Sequence, residues 1–328
     1  EGYCFDTGPS LLNYPWVFEA LFRAAGKRLR DYVELLPVEP ALVFRWRDGN
    51  ELTLSSDLTR LRESIARLEP SCDAGLTAFL HDAHIKYQLA FEKLVNRNVN
   101  RLWDWITPLS LSEMTYVTVW RSLYSELGRF FRSKHIKEAL GAYAMYLGGS
   151  PFDLPGFFSI LPYGELAYGL WLPKGGIYGL IEGVRRLAED TGVDIRTATK
   201  VEKIRVRDGK IHGVQLENGD LLEFPLVVSN VDLPYADTQL LPDRSRLKRR
   251  RRSAQQTRMT PGVCTFYWGV QGIVAGLGHH TIFLPDKYRY TFQELIKLGR
   301  IPTDIPFYVS VASATDSTLA PDGNSSVF

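Results

Sequence analysis

Apolar residues recur at helical spacing through one long block of the chain and at strand spacing on either side of it. From Asp57 to about Gly149 the pattern is helical. Leu58, Leu61, Ile65 and Leu68 share one face before Pro70, and Leu76, Phe79, Leu80, Tyr87, Phe91 and Leu94 continue in a second, longer helix. After a tryptophan-rich joint at Trp103-Asp104-Trp105, Met114, Val117, Trp120, Leu123, Tyr124 and Leu127 predict a third helix. A fourth runs from a Ser133 cap through Ile136, Leu140, Tyr143 and Leu147 to Gly148-Gly149. Aromatic helices of this kind form core; their other use is to line a greasy channel or lie on a membrane.

Ahead of the block, Glu1 to Ser10 alternates aromatic and polar residues and breaks at Gly8-Pro9, which predicts a short strand and a tight turn. Asn13 is a candidate cap and Pro15 a first-turn residue for a helix with Phe18, Leu21, Phe22 and Ala25 on one face, ending at Gly26. Val43-Phe44-Arg45-Trp46 and Leu52-Thr53-Leu54 flank Asp48-Gly49-Asn50 and read as a β-hairpin.

Behind the block, Phe157, Phe158, Ile160, Leu161 and Tyr163 form a dense apolar segment that runs into Trp171-Leu172-Pro173-Lys174-Gly175-Gly176-Ile177-Tyr178-Gly179. That stretch reads as an apolar strand, a glycine-rich turn and a helix start, the helix continuing through Leu180, Ile181, Val184 and Leu187 to Thr191-Gly192. Glycines there let the backbone approach a ligand, and a helix start offers unpaired N–H groups and a partial positive charge. A purely structural turn is the other reading. Val193-Asp194-Ile195 reads as a buried strand, and Val201 to Val206, Ile211 to Leu216 and Leu221 to Phe224 as a meander joined by Asp208-Gly209 and Asn218-Gly219 turns. Leu226-Val227-Val228-Ser229-Asn230 predicts an apolar strand breaking into a polar turn, where backbone could meet a ligand. Val263 to Val270 and Pro306 to Ala312 supply two more strands, the expected partners of the early hairpin.

Composition narrows the function classes. A net charge of +2 gives no long-range attraction to nucleic acid. The basic run from Arg244 to Arg252 is the local exception, and reads as solvated surface first, contact with anionic lipid headgroups next and nucleic acid last. Cys4, Cys72 and Cys264 form no C-x-x-C pair, so neither a zinc site nor a disulfide framework is expected, and a reducing compartment is compatible. The pairs His81 with His84 and His279 with His280 have metal-like spacing but no supporting cysteine or carboxylate cluster; they read as exposed helix or loop residues, with no metal expected. No uninterrupted apolar run approaches the roughly 20 residues that span a bilayer, so membrane contact would be peripheral.

Five segments carry a resemblance: Phe5-Asp6-Thr7-Gly8-Pro9-Ser10, Leu54-Ser55-Ser56-Asp57-Leu58-Thr59-Arg60, Gly148-Gly149-Ser150-Pro151-Phe152, the glycine turn after Trp171, and Val227-Val228-Ser229-Asn230-Val231-Asp232. Ser317 to Gly323 adds a marker near the end. In this order they resemble the phytoene desaturase family of carotenoid biosynthesis, in its bacterial and fungal form and most of all its fungal members. The resemblance implies an α/β FAD/NAD(P)-binding flavoprotein fold of the amine-oxidase type with an inserted α+β substrate domain, partly helical with a mixed sheet. Residues 1–12 and 172–232 would form a partial dinucleotide-binding domain, and 13–171 with 233–328 the substrate domain, its helical insertion at about 57–150. The chain is expected to be a fragment, with the pyrophosphate-binding G-x-G-x-x-G before Glu1 and a second flavin segment after Phe328.

The resemblance implies FAD as cofactor, with NAD the alternative oxidant, and a hydrophobic polyene substrate met at a membrane surface inside the cell. Asp6, Thr7, Gly8 and Pro9 would lie near the flavin, Lys174, Gly175 and Gly176 would form the turn facing its ring, and Val201 would meet the adenine end. Asn230 is the further cofactor-binding candidate. Phe157, Phe158, Tyr163 and Trp171 are candidates for the walls of a substrate tunnel, with core packing as the equal alternative. Asp153 and Glu165, the carboxylates nearest these aromatics in sequence, are weak candidates for taking a proton, each with a turn-capping alternative. A related polyene isomerase, saturase or carotenoid oxidase, or a non-enzymatic polyene- or membrane-binding relative, are the competing readings.

Overall fold

The computed structural model describes residues 2–95, 97, 104, 107–241 and 262–328. Trp103, Trp105 and the basic run from Arg244 to Arg252 lie outside the described residues. The chain forms two compact units, one of Glu1–Thr191 with Pro261–Phe328 and one of Gly192–Thr260.

In the larger unit, α1 (Pro15–Ala24) starts with proline in its first turn, as expected. Its cap is not Asn13 but Tyr14, held at φ 58° without a side-chain cap hydrogen bond. The Tyr14 ring packs 4.9 Å from Trp16 and 5.5 Å from Phe91, and this aromatic packing offsets the backbone cost. Residues 2–9 form no strand. A strand needs a neighbour for its backbone groups, and here one amide, that of Cys4, donates to the Leu319 carbonyl at 2.9 Å.

Strands β1 (Leu35–Val38), β2 (Leu42–Arg45) and β3 (Glu51–Leu54) follow, with β2 and β3 forming the expected hairpin in the register Leu42 to Leu54. Helix α2 (Leu58–Leu68) is capped by Asp57, whose carboxylate accepts from Thr59 N and Arg60 N. Helix α3 (Asp73–Leu89) continues into a π-helical stretch at Ala90–Val95. The single helix expected over Met114 to Leu127 is instead two short ones, α4 (Leu111–Met114) and α5 (Leu123–Leu127), each started by its own serine cap, Ser110 and Ser122. Two caps in one apolar-periodic run divide it, and Val119 and Trp120 between them are 60% and 66% exposed.

Helix α6 (Lys134–Ala142) tightens through Tyr143–Leu147 and stops at Gly148. Helix α7 (Ile160–Tyr168) leads into β4 (Leu170–Pro173), which pairs antiparallel with β1. Helix α8 (Ile177–Asp190) begins after the glycine turn and buries Leu180 and Leu187 against Phe22, Leu29 and Val33.

The expected partners of the hairpin need correction. Only Trp268–Val270 of the Val263 to Val270 segment is a strand, β8, and it pairs with β11 (Ser325–Val327) rather than with the hairpin. The hairpin's neighbour is β9 (His280–Phe283), parallel to β2, and β10 (Phe307–Ser310) lies beyond it, giving the order β10-β9-β2-β3. Periodicity marks a strand but not its partner, and the histidines at the start of β9 disguised it as a loop.

In the smaller unit, β5 (Val201–Arg207), β6 (Lys210–Leu216) and β7 (Leu221–Glu223) form the expected antiparallel meander. Val193-Asp194-Ile195 and Leu226 to Asn230 are not strands. Both stretches are largely exposed, Val228 at 86%, with no strand pairing to them among the described residues.

Candidate functional site: a crevice at the glycine turn

Strand β4 delivers the chain to Lys174-Gly175-Gly176, where φ of 82° and 85° at the two glycines turns it into α8. These are left-handed values that favour glycine. A side chain at Gly176 would also collide, because its Cβ would sit 2.9 Å from an Asp6 carboxylate oxygen.

Two carboxylates from distant parts of the chain hold this turn. Asp6 accepts hydrogen bonds from Ile177 N at 2.8 Å and Tyr178 N at 3.3 Å. Asp316 accepts from Gly175 N at 2.7 Å, and its other oxygen accepts from Thr318 N at 3.0 Å and Thr318 Oγ1 at 2.6 Å. Burial pushes the Asp316 carboxyl up, but the Gly175 and Thr318 donors outweigh it and hold the group below the usual carboxylate range. The helix start therefore does not offer the unpaired N–H groups that the sequence suggested: Asp6 and Asp316 take them.

Beside the turn lies a crevice of about 270 Å³, lined by Phe5, Asp6, Gly175, Tyr178, Leu319 and Phe328 among others. Of the expected cofactor contacts, Asp6 and Gly175 line it, and Gly176 is buried beneath Asp6. Thr7, Gly8 and Pro9 are exposed. Lys174 is exposed and pairs with Glu34 at 2.9 Å, a hydrogen bond that raises its pKa. Val201 opens β5 and Asn230 is exposed, both in the smaller unit.

The four tunnel candidates do not line this crevice. Tyr163 is buried, its hydroxyl 2.7 Å from His84 Nδ1 and its ring 5.5 Å from Tyr87. Trp171 donates its indole N–H to the Tyr168 carbonyl at 3.1 Å. Phe157 and Phe158 are half-buried and pack edge-on against each other. The two carboxylate candidates differ sharply. Asp153 is exposed and pairs with Lys297 at 3.1 Å, whereas Glu165 is fully buried, accepting from the Tyr143 hydroxyl at 2.6 Å. Burial drives the Glu165 carboxyl up to about 8, opposed by the Tyr143 hydrogen bond.

Of the histidines expected on exposed helix or loop, His81 is exposed on α3 and His84 is half-buried, but the second pair is placed differently. His279 and His280 are buried, with Nδ1 atoms 2.7 Å from Thr315 Oγ1 and 2.5 Å from the Tyr308 hydroxyl. Burial lowers His279 to about 4, and burial with the neighbouring His279 holds His280 well below its ordinary value, so both rings are neutral. Among the described residues no cluster of three metal-ligating side chains occurs. Sequence reasoning missed Asp316 as a turn-holding residue, although the Asp-Ser-Thr start of a capping motif was visible at Asp316-Ser317-Thr318.

A protein-family model described as flavin containing amine oxidoreductase matches residues 1–305. The chain is 34% identical over 329 residues to a zeta-carotene-forming phytoene desaturase of Myxococcus xanthus, covering 100% of this chain and 63% of that protein. It is 37% identical over 336 residues to a phytoene desaturase of Cercospora nicotianae, covering 100% of this chain and 53% of the relative. The chain thus spans between about half and two thirds of the length of these relatives. Among solved structures, the PF1083 protein of Pyrococcus furiosus aligns over 100% of this chain and 67% of its own, with a TM-score of 0.58 at 16% identity. Putrescine oxidase bound to putrescine aligns over 99% of this chain and 66% of its own, with a TM-score of 0.53 at 11% identity. At such identities the likeness shows the fold, that of the flavin-dependent amine oxidases.

Proposed function

The chain belongs to the flavin-containing amine oxidoreductase family, and from that premise we propose that the whole protein is a carotenoid desaturase. It removes hydrogen stepwise from a linear C40 polyene such as phytoene, with FAD as hydride acceptor. The observation that carries this reading is the identity of 34% and 37%, sustained along the whole chain, to proteins named phytoene desaturase.

The residues at the crevice fit the ring end of a flavin. Phe5, Leu319 and Phe328 give apolar walls, and at Gly175 even an added Cβ would meet nothing within 4 Å. They do not fit its pyrophosphate, because the turn's N–H groups are already held by two carboxylates that would repel phosphate. When bound, the flavin supplies a hydride acceptor, and the protein supplies position and electrostatics. Residues 1–12 and 172–232 are assigned to cofactor binding and the remainder to substrate as part of this proposal.

The substrate has almost no polar handle, so its binding rests on buried apolar area at ~25 cal/mol per Å². Phe157, Phe158, Tyr163 and Trp171 are the proposed source of that area. Peripheral contact with a membrane, where such a substrate dissolves, is part of the same reading. It is supported by the exposed apolar side chains of Leu111, Val119 and Trp120, at 85%, 60% and 66%. Among the described residues no helix is long and apolar enough to cross a membrane.

The test is to purify the full-length protein, record its absorption for bound flavin, and incubate it with phytoene in liposomes. Products absorbing at longer wavelength support the proposal; unchanged phytoene in the presence of bound flavin removes it. A second reading is favoured by the 32% identity over 325 residues to a 4,4'-diapolycopene oxygenase of Methylomonas. On that reading the products gain the mass of oxygen rather than losing that of hydrogen.

A further inference from the structure

Glu165 sits on α7, the helix that joins the aromatic segment to the glycine turn. It is 0% exposed. One of its oxygens accepts from the Tyr143 hydroxyl at 2.6 Å, and the other, Oε2, is buried with no hydrogen-bond partner among the described residues. Among the described residues no cation pairs with it, and its one hydrogen-bond partner is the Tyr143 phenol. A lone buried carboxylate is among the most costly groups a core can hold, whereas the neutral acid is tolerated. An amide would fill the same space without that penalty, so the proton-binding capacity is what sets this side chain apart.

The groups facing Glu165 are tyrosines from three directions. Tyr143 and Tyr146 come from the turn after α6, Tyr14 from the start of α1 and Tyr308 from β10; burial makes each phenol less acidic, and the Glu165 charge adds to it. Tyr308 connects this cluster to the crevice. Its hydroxyl lies 3.1 Å from Ser10 Oγ and 2.5 Å from His280 Nδ1, and its ring packs 6.1 Å from Phe328, a crevice wall. The Tyr308 hydroxyl, with the neutral His280 ring beside it, therefore stands next to a crevice wall and within electrostatic reach of the buried carboxyl group.

We propose that Glu165 is the proton store of the desaturation, receiving through the tyrosine hydroxyls the proton that leaves the substrate. This rests on the desaturase reading above. In each step one C–H bond would break with its electron pair, the hydride acceptor being the flavin that the crevice residues would hold. The neighbouring C–H bond leaves its electron pair behind to form the new C=C bond, and its proton converts the Glu165 carboxylate to the acid. Release of that proton to solvent resets the group. A base whose pKa lies near the working pH is the efficient kind, and the buried Glu165 meets that requirement where an exposed glutamate would not.

Two measurements test this. The first needs no cofactor: the infrared carbonyl band of a protonated carboxyl group in the full-length protein, compared between wild type and Glu165→Gln. A band present at neutral pH, titrating near pH 8 and missing from the variant, is expected; its absence from the wild type overturns the proposal. The second is the pH profile of kcat/KM for phytoene. Wild type should rise toward pH 8, and Glu165→Gln should lose the acid limb and on the order of 100-fold in kcat with little change in KM. Tyr143→Phe removes the donor that stabilises the carboxylate, so its limb should move to higher pH. A Glu165→Gln enzyme that converts phytoene with the wild-type rate and profile sinks the proton store and leaves the desaturase standing. A wild type that binds flavin but leaves phytoene unchanged sinks the desaturase reading, and the infrared band then decides alone whether Glu165 holds a proton.

Discussion

Asp6 is the most informative single substitution, because one side chain ties the start of the chain to the helix behind the glycine turn. Asp6→Ala orphans the amides of Ile177 and Tyr178, which lie 2.8 and 3.3 Å from its carboxylate. Loss of such a cap costs about 1 kcal/mol, and loss of a negative charge at a helix start adds about 0.3–1 kcal/mol. Asp6 is only half-buried, so water recovers part of the lost hydrogen bonding and the total should be about 1–2 kcal/mol. At roughly 2–4 °C per kcal/mol for a large domain, thermal unfolding should fall by about 2–8 °C. Asp6→Asn keeps an acceptor and loses the charge, so it should fall by less. Amide hydrogen exchange should accelerate at Ile177 and Tyr178 in the alanine variant and not at the far end of α8. Because Asp316 holds the adjoining Gly175 amide, the double variant Asp6→Ala with Asp316→Asn should depart from additivity by about 0.5–3 kcal/mol. An Asp6→Ala protein with unchanged melting temperature and unchanged exchange at both amides would refute the claim that this carboxylate holds the turn.

Three further outcomes follow from groups away from the turn. The Glu165 carboxyl is raised to about 8 in the folded state, against about 4.3 unfolded, so its contribution is fully present below about pH 4.3 and is lost as pH rises toward 8. Glu165→Gln should therefore be more stable than wild type in urea at neutral pH, by up to a few kcal/mol, and the gain should vanish near pH 4. His279 is lowered to about 4 and His280 is held well below its ordinary value; the unfolded state, with histidine near 6.5, takes up protons first. Stability should decline as pH falls from about 6.5 toward 4, and His279→Gln should flatten that decline in an acid-unfolding series. Lys86 is 0% exposed and holds Glu126 at 2.8 Å and Asp82 at 2.6 Å. Lys86→Met should cost about 3–5 kcal/mol by chemical denaturation, and adding Glu126→Gln should recover part of it.

What could be read in the chain was local, and what escaped was the pairing of distant segments. The hairpin around Asp48-Gly49-Asn50 and the meander at Val201 to Phe224 carry their own turn chemistry, and the structure has both. The division of the expected Met114 to Leu127 helix was visible in Ser122, a capping residue inside the run that periodicity overrode. Strand β9 was hidden because its polar His280 lies buried on a tyrosine hydroxyl, a partner that cannot be inferred from the flanking sequence. Leu226 to Asn230 has strand composition but no paired neighbour among the described residues, and composition alone cannot satisfy backbone N–H and C=O groups. At the site, glycine identity pointed to the turn. That Asp6 and Asp316 converge on it from 171 positions upstream and 141 downstream was not legible, since nothing local requires either contact.

The three buried or part-buried carboxyl groups Asp6, Asp316 and Glu165 thus differ in their hydrogen bonding, and the difference assigns their roles. Asp6 and Asp316 each accept two or more hydrogen bonds, mostly from backbone amides, which fix geometry; at Asp316 these donors also favour the ionised form. Glu165 has one phenol donor and an unpaired oxygen; burial there favours the neutral form and leaves the proton exchangeable. The first arrangement suits a rigid edge against which a planar ring is held, because neither carboxylate can leave without orphaning an amide. The second suits a group whose charge changes during a turnover, because no ion pair has to break when it does. A site that combined both tasks in one carboxylate would lose the turn whenever the proton arrived, and their separation onto different elements avoids that conflict.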